Sequence, residues 1–198
     1  MLTKRDKTKY FIIEKAAPLF NKKGYAGTSM QDIMESTGLA KGCIYGNFEN
    51  KDEIAALAFD YSYEKMKSEI RLKISGEKSP KNKLLAILNF YKDYSIISTI
   101  DGGCVLLNTA VDADDAYPFL KKKARQALVE LLGILKAYFA AGITAREFKK
   151  SIIPEKEAEL FFALVEGGIM MAKVMDDHHV LNRILDNLKE HIDRNLST

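Results

Sequence analysis

Tryptophan is absent from this 198-residue chain, and cysteine, histidine and proline number only two, three and four. Cys43 and Cys104 lie far apart and in no metal-ligand spacing. That usage offers no disulfide framework and fits a reducing compartment. Valine-rich alternating runs are missing as well, while Ala, Leu, Lys and Glu are plentiful, so helices are favoured over a sheet. No long uncharged apolar run occurs: the nearest, LVELLGILKAYFAAGI, is interrupted by Lys136. The N-terminal MLTKRDKTKYF has basic residues but no apolar segment behind them, unlike a signal peptide. These absences lead to the expectation of a cytoplasmic, all-α protein with no membrane association, no metal and no cofactor.

Net charge is only +3, but it is unevenly spread. Residues 1–52 hold nine Lys/Arg against six Asp/Glu, and residues 154–198 hold five against nine. The basic N-terminal end is therefore the better match for an anionic partner.

The pattern predicts a helix over 5–22, with Phe11, Ile12, Ala16, Leu19 and Phe20 on one stripe, a kink or a loosened hydrogen bond at Pro18 and a stop at Gly24. Thr28-Ser29 then offers an N-cap with Asp32 in capping-box position, and Gly38 suits a sharp turn. A short helix is expected over about 40–47. Asn50-Lys51-Asp52-Glu53 opens a long one over 51–74, and SGEKSP (75–80) reads as a linker. Further helices are expected over about 81–99, 103–113, 117–141, 154–175 and 179–195, with Pro154 at a first helical position.

The stretch GLAKGCIYGNF (38–48) carries the chemistry. Stepping about 100° per residue puts Ala40, Ile44 and Phe48 on one side and Gly42 and Gly46 on the opposite one. Two glycines cost a short helix roughly 1 kcal/mol each relative to alanine. Bare backbone flanked by Tyr45 and Cys43 makes sense if something large must approach closely. A preceding helix, a turn at Gly38 and this second helix match a helix-turn-helix, whose second helix enters the DNA major groove. The plainer reading, a helical corner with incidental glycines, stays open on geometry alone. A catalytic Cys43 finds no histidine within 130 residues, and a phosphate-binding P-loop is excluded because neither its motif nor a preceding strand is present.

Residues 8–59 resemble the DNA-binding domain of TetR-family transcriptional regulators. The resemblance runs through AAPLFNKKGYAGTSMQDIMESTGLAKGCIYGNFENKDEI: Phe20 and Gly24-Tyr25, Thr28-Ser29, Ile33, Gly38-Leu39, Lys41-Gly42, Ile44-Tyr45, Phe48 and Lys51. Cys43, Gly46 and Asn47 depart from the residues usual in the family. The resemblance implies a three-helix DNA-binding domain (1–50, or about 6–66 as the family draws it). A long helix would join it to a helical effector-binding and dimerisation domain over 51–198. It also implies a homodimer on a palindromic double-stranded operator, acting as a repressor that a small molecule releases, and not an enzyme. Carried over by position, Thr28, Ser29 and Tyr45 would touch phosphates, as would Lys51, and Gln31, Lys41, Gly42, Cys43 and Asn47 would meet bases or backbone. Hydroxyls and helix N-termini suit phosphate oxygens, and Gln or Asn can pair with adenine.

The C-terminal half is rich in aromatic and flexible apolar residues. Phe90, Tyr94, Cys104, Asn108, Phe139, Phe162, Glu166 and Met170 are the candidates for an effector pocket, with an ordinary bundle core as the alternative. Cys104 opens an apolar helix, whose N-terminus can lower a thiol's pKa, so a redox- or electrophile-sensing regulator is a second reading and a helical carrier or enzyme a third. Asp176-Asp177-His178-His179 would diverge around a helix and is not expected to hold metal. The stripe of the last two helices, Leu164, Val165, Gly168, Met171, Leu181, Leu185 and Leu188, suits a four-helix dimer interface. Small shifts of the long fourth helix would change the separation of two recognition helices that must meet half-sites about 35 Å apart.

Overall fold

The structure, a computed structural model, describes residues 3–94 and 100–198, without the side chains of 93 and 94. Among these it has nine α-helices: α1 Lys4–Gly27, α2 Met30–Thr37, α3 Lys41–Tyr45, α4 Lys51–Ile74, α5 Pro80–Tyr94, α6 Val105–Ala113, α7 Pro118–Thr144, α8 Pro154–Val174 and α9 His178–Glu190. A π-helical turn, His191–Leu196, closes the chain, and Phe148 and Ser197 form an isolated antiparallel bridge. The chain divides into two compact units, Met1–Met66 with Thr99–Ala127, and Lys67–Ser98 with Leu128–Thr198.

In the first unit α1, α2, α3 and the start of α4 close on one core of Ile12, Ala16, Ile33, Ile44, Phe48 and Ile54. Local signals explain the elements. Ser29 caps α2 by accepting from the Asp32 N–H at 3.0 Å, while Asp32 accepts from the Ser29 N–H at 2.7 Å, a reciprocal capping box. Asn50 accepts from the Glu53 N–H at 2.9 Å at the head of α4. Gly38 ends α2 at φ 67, a left-handed value that a side chain at this position would strain. Pro18 keeps helical backbone, and the non-helical residue inside α1 is Gly24, at φ 71. Proline inside a long helix loses one hydrogen bond, whereas Gly24 must reverse its φ to turn the chain toward α2.

A second cluster in this unit, Ala55, Ala113 and Leu120, is flanked by Phe20, Tyr25, Tyr117 and Phe119 and ties α6 to α1 and α4. Asn21, buried on α1, donates to the carbonyls of Asp101 at 3.0 Å and Gly103 at 2.9 Å, and accepts from Asn108 at 2.9 Å through Oδ1. A Cβ on Gly102 would stand 2.9 Å from the Asn21 main chain, so the turn before α6 comes this close only because it is glycine.

In the second unit α8 packs along α9, and α9 also meets α5. The stripe Phe161, Val165, Gly168, Ile169 and Ala172 is buried against Leu181, Leu185 and Leu188. Asp177 caps α9 by accepting from the His179 N–H at 2.9 Å, which accounts for one member of the acidic-histidine cluster. The length and apolar character of α7 would let it cross a bilayer, but it buries Leu120, Ala124, Ala127, Leu131, Leu135 and Phe139 at core-helix spacing.

Candidate nucleic-acid interface

α3 is shorter than the sequence pattern indicated, because Ala40 is its N-cap with extended backbone (φ −66, ψ 152). Helical stepping therefore starts after Ala40, which is exposed instead of buried. Ile44 and Phe48 do face the core, and they hold the helix so that Lys41, Gly42, Tyr45 and Gly46 are exposed. Space is open beyond Gly42 for anything a Cβ would meet, so nothing inside the protein requires glycine there. At Gly46 a Cβ would lie 3.0 Å from the Gly42 carbonyl oxygen, an internal reason for its small size. Tyr45 is 46% exposed with the Lys41 ammonium 5.6 Å from its ring centre.

On α2, Ser29 and Gln31 are exposed, and Gln31 donates to Glu35 at 2.9 Å. Hydrogen bonds from Lys23 first, then from Ser29, hold the Asp32 carboxyl well below the usual carboxylate range. Its charge sits in the first turn of α2, where it complements the helix dipole.

Three of the nine residues expected at DNA use their side chains on the protein's own main chain. Thr28 is fully buried and donates its hydroxyl to the Gly24 carbonyl at 2.8 Å, because the turn after Gly24 needs that acceptor satisfied. Lys51 donates to the carbonyls of Tyr25 and Thr28, 2.8 Å each, with its ammonium 4.0 Å from the Tyr25 ring centre. It thus closes the carbonyl end of α1. Asn47 is half-buried and donates to the Cys43 carbonyl at 2.8 Å. Cys43 itself is half-buried.

The corner between α1 and α2 is fixed from the side of α6. Asp112 accepts from the Tyr25 N–H at 2.7 Å, and a Cβ on Gly24 would come within 2.7 Å of the same carboxylate. Tyr25 hydrogen-bonds Asp52 through its hydroxyl and packs on Tyr117 with ring centres 4.4 Å apart. Burial first, then the Asp52 carboxylate, push its phenol up to about 12. Sequence reasoning missed Asp112, which lies 87 residues from Tyr25 and in no motif.

The expected effector residues are drawn from both units. Cys104 and Asn108 belong to the first unit, and Phe90, Phe139, Phe162, Glu166 and Met170 to the second. The Tyr94 side chain lies outside the described residues. Phe90, Phe139 and Glu166 are buried and Phe162 is half-buried. Met170 is 48% exposed: α8 buries Phe161, Val165, Ile169 and Ala172, and Met170 falls off that stripe. Of the expected interface, Val165, Gly168, Leu181, Leu185 and Leu188 are buried within the chain, where a Cβ on Gly168 would come within 2.7 Å of Leu181. Their stripe is consumed by packing α8 on α9, leaving only Leu164 and Met171 accessible. Sequence periodicity finds the apolar face, but not the neighbour that covers it.

A family model described as "Bacterial regulatory proteins, tetR family" matches residues 12–58, and "Tetracyclin repressor-like, C-terminal domain" matches 80–188, more than half the chain. The chain belongs to the TetR family. This TetR-family protein is similar to a TetR-family regulator of Cytophaga hutchinsonii, 37% identical with 100% and 98% of the two chains covered and a TM-score of 0.92. It is also similar to one from Chloroflexus aurantiacus J-10-FL, 32% identical with 99% of each chain covered and a TM-score of 0.95. An HTH-type transcriptional regulator in the lacX 3' region of Lactococcus lactis subsp. lactis is 30% identical, with 92% of this chain and 91% of the relative covered. The protein is a DNA-binding transcriptional regulator. The thiol-sensing alternative is not favoured, and Cys104 is buried at the N-cap of α6, shielded from an oxidant.

Proposed function

We propose that this TetR-family regulator is a homodimeric repressor that occupies a palindromic operator until a small molecule releases it. The observation that carries the reading is α3: two buried anchors, Ile44 and Phe48, support an outward face of Gly42, Tyr45 and Gly46 that offers backbone and a phenol to a groove. Ser29, Gln31, Lys41 and Gly42 lie on α2 and α3 with exposed surfaces suited to phosphates and base edges, and Tyr45 to a phosphate. Thr28, Lys51 and Asn47 support this surface from behind.

A second copy of the chain covers the outer face of α8. Leu160, Met170, Met171, Val174 and Met175 are exposed there, and Gly167 has open space beyond it. A run of large apolar side chains along one helix face is costly to leave in water, and a two-fold partner would bury it twice over. The effector site belongs to the C-terminal half, where Phe90, Phe139, Phe162 and Glu166 are the candidates within the second unit. A cytoplasmic regulator with no catalytic step of its own fits this arrangement.

The test is selection of duplexes by the full-length protein from a random-sequence library, followed by affinity measurement across salt concentrations. A recovered palindrome bound more weakly as salt rises is the expected result. Recovery of no consensus, or binding indifferent to salt, would sink the reading.

A further inference from the structure

We propose that the first turn of α1, through Lys4, Arg5 and Lys7, is a second DNA-binding element, gripping phosphates that flank the stretch facing α3. The inference rests on the DNA-binding reading and adds a surface that neither the helix-turn-helix layout nor the positions carried over from the family include.

Three observations carry it. Arg5 donates through Nη2 to the carbonyl of Gly46 at 3.5 Å, so its guanidinium sits at the carbonyl end of α3, beside the face that holds Gly42 and Gly46. One long hydrogen bond leaves most of the five Arg5 N–H donors available. Next, the charges run against the helix dipole. Cations are disfavoured in a first turn, yet three of its residues are Lys or Arg and all three are exposed. Lys4 and Lys7 make no ion pair among the described residues, so no internal partner accounts for them.

The nearby carboxylates are already engaged. Asp6 accepts from the Thr3 hydroxyl at 2.7 Å and from the Thr3 N–H at 3.0 Å. Glu53 pairs with Lys9 at 2.8 Å and accepts from the Glu49 N–H at 2.8 Å. Glu49 is the remaining acid and is exposed at the head of α4. The Thr3–Asp6 capping box occupies the helix end, so what the turn offers is side-chain charge, not main-chain donors. Flexible ammoniums with no internal ion pair, and a guanidinium fork with donors to spare, suit phosphate oxygens, which are spaced along the duplex and carry no sequence information.

The experiment compares the full-length protein with a Lys4→Gln, Arg5→Gln, Lys7→Gln variant on a duplex recovered from a random-sequence library. Glutamine keeps helix propensity, and circular dichroism melts check that the fold is unchanged. The plot of log affinity against log salt should become shallower by about 0.9 for each phosphate no longer neutralised, roughly 2 to 3 in all. Trimming base pairs from the ends of the duplex should weaken the native protein and leave the variant nearly unchanged. An unaltered slope, or equal sensitivity to trimming, overturns the proposal while leaving DNA binding intact. A Lys4→Gln, Lys7→Gln variant disturbs no internal ion pair and should lose part of the slope. If only variants at Arg5 lose affinity, and the slope stays constant, Arg5 merely caps α3 and the proposal fails. A native protein that selects no duplex would overturn the DNA-binding reading itself.

Discussion

The Asp112 carboxylate on α6 accepts a hydrogen bond from the main-chain N–H of Tyr25 at 2.7 Å, across 87 residues of sequence. Tyr25 begins the corner that leads from α1 into the capped start of α2, so an acid on α6 holds the approach to α2 and α3. Asp112→Ala removes a charged acceptor and leaves a half-buried N–H without it, a loss of about 1–3 kcal/mol. The variant should unfold at lower denaturant and bind its duplex more weakly, because the α2 corner is less well placed. Its salt slope should match the native one, since every phosphate keeps its cation. A steeper or shallower slope would show that Asp112 acts on DNA electrostatically instead.

Lys51 separates two roles that the sequence could not. A lysine at the head of the fourth helix reads as a phosphate ligand, but its ammonium donates to the carbonyls of Tyr25 and Thr28. Lys51→Met should lower stability by about 2–3 kcal/mol, because charged donors are removed from carbonyls that have turned away from solvent. Affinity measured well below the melting range should keep its native salt slope. A slope shallower by about 0.9 would instead mean that Lys51 neutralises a phosphate.

Asp32 gives α2 a pH dependence. Its carboxyl is depressed below the ordinary value of 3.8 by Lys23 and then by Ser29. A depressed acid contributes stability that is fully present above the unfolded value and is lost as pH falls through the folded one. The Lys23 bridge spans 2.5 Å on the surface, so salt screens part of it. Native protein should therefore be more stable than Asp32→Asn at neutral pH, and the gap should close as pH drops below 3.8. Chemical denaturation of both proteins at neutral and acid pH checks this. A gap that stays constant would mean the cap does not depend on the charge.

The helices were legible because local chemistry specifies them. Ser29 with Asp32, Asn50 with Glu53, and Gly38 all act within four residues, and each stands where the sequence puts it. The buried anchors Ile44 and Phe48 were legible for the same reason. Ala40 was misplaced because periodicity assumes helical backbone, and a cap residue has none. What the sequence hides is which partner meets an apolar or polar face. Val165, Leu181 and Leu185 formed a readable stripe, but only the fold shows that α8 and α9 use it on each other. Thr28 likewise carries a hydroxyl suited to phosphate, and the left-handed turn at Gly24 claims it.

The outer face of α8 should govern assembly. Val174 is 76% exposed among Met170, Met171 and Met175, whereas Val111, on α6 in the other unit, is 72% exposed. Val174→Asp should shift the protein from dimer toward monomer in sedimentation velocity and weaken binding to a palindromic duplex. Val111→Asp, equally exposed, should leave both unchanged. Assembly that responds to Val111 and not Val174 would move the interface off α8.

Gly42 is the residue at which folding and function should pull apart. Nothing beyond the helix's own backbone lies within 4 Å of a Cβ built there, and Gly42 is the second residue of α3. By helix propensity alone, Gly42→Ala should stabilise the free protein by roughly 0.5–1 kcal/mol. A duplex seated against the α3 backbone would meet the added methyl, so affinity should fall even as the melting midpoint rises. Gly46 does not give so clean a contrast, because a Cβ there would press on the Gly42 carbonyl at 3.0 Å in the free protein. Thermal melts and duplex titrations on the same Gly42→Ala preparation decide the matter. If stability rises and affinity is untouched, the glycine is incidental and the duplex does not approach α3 along this face. If both fall together, the methyl disturbs the fold itself. Only opposite movement ties the missing side chain to the groove.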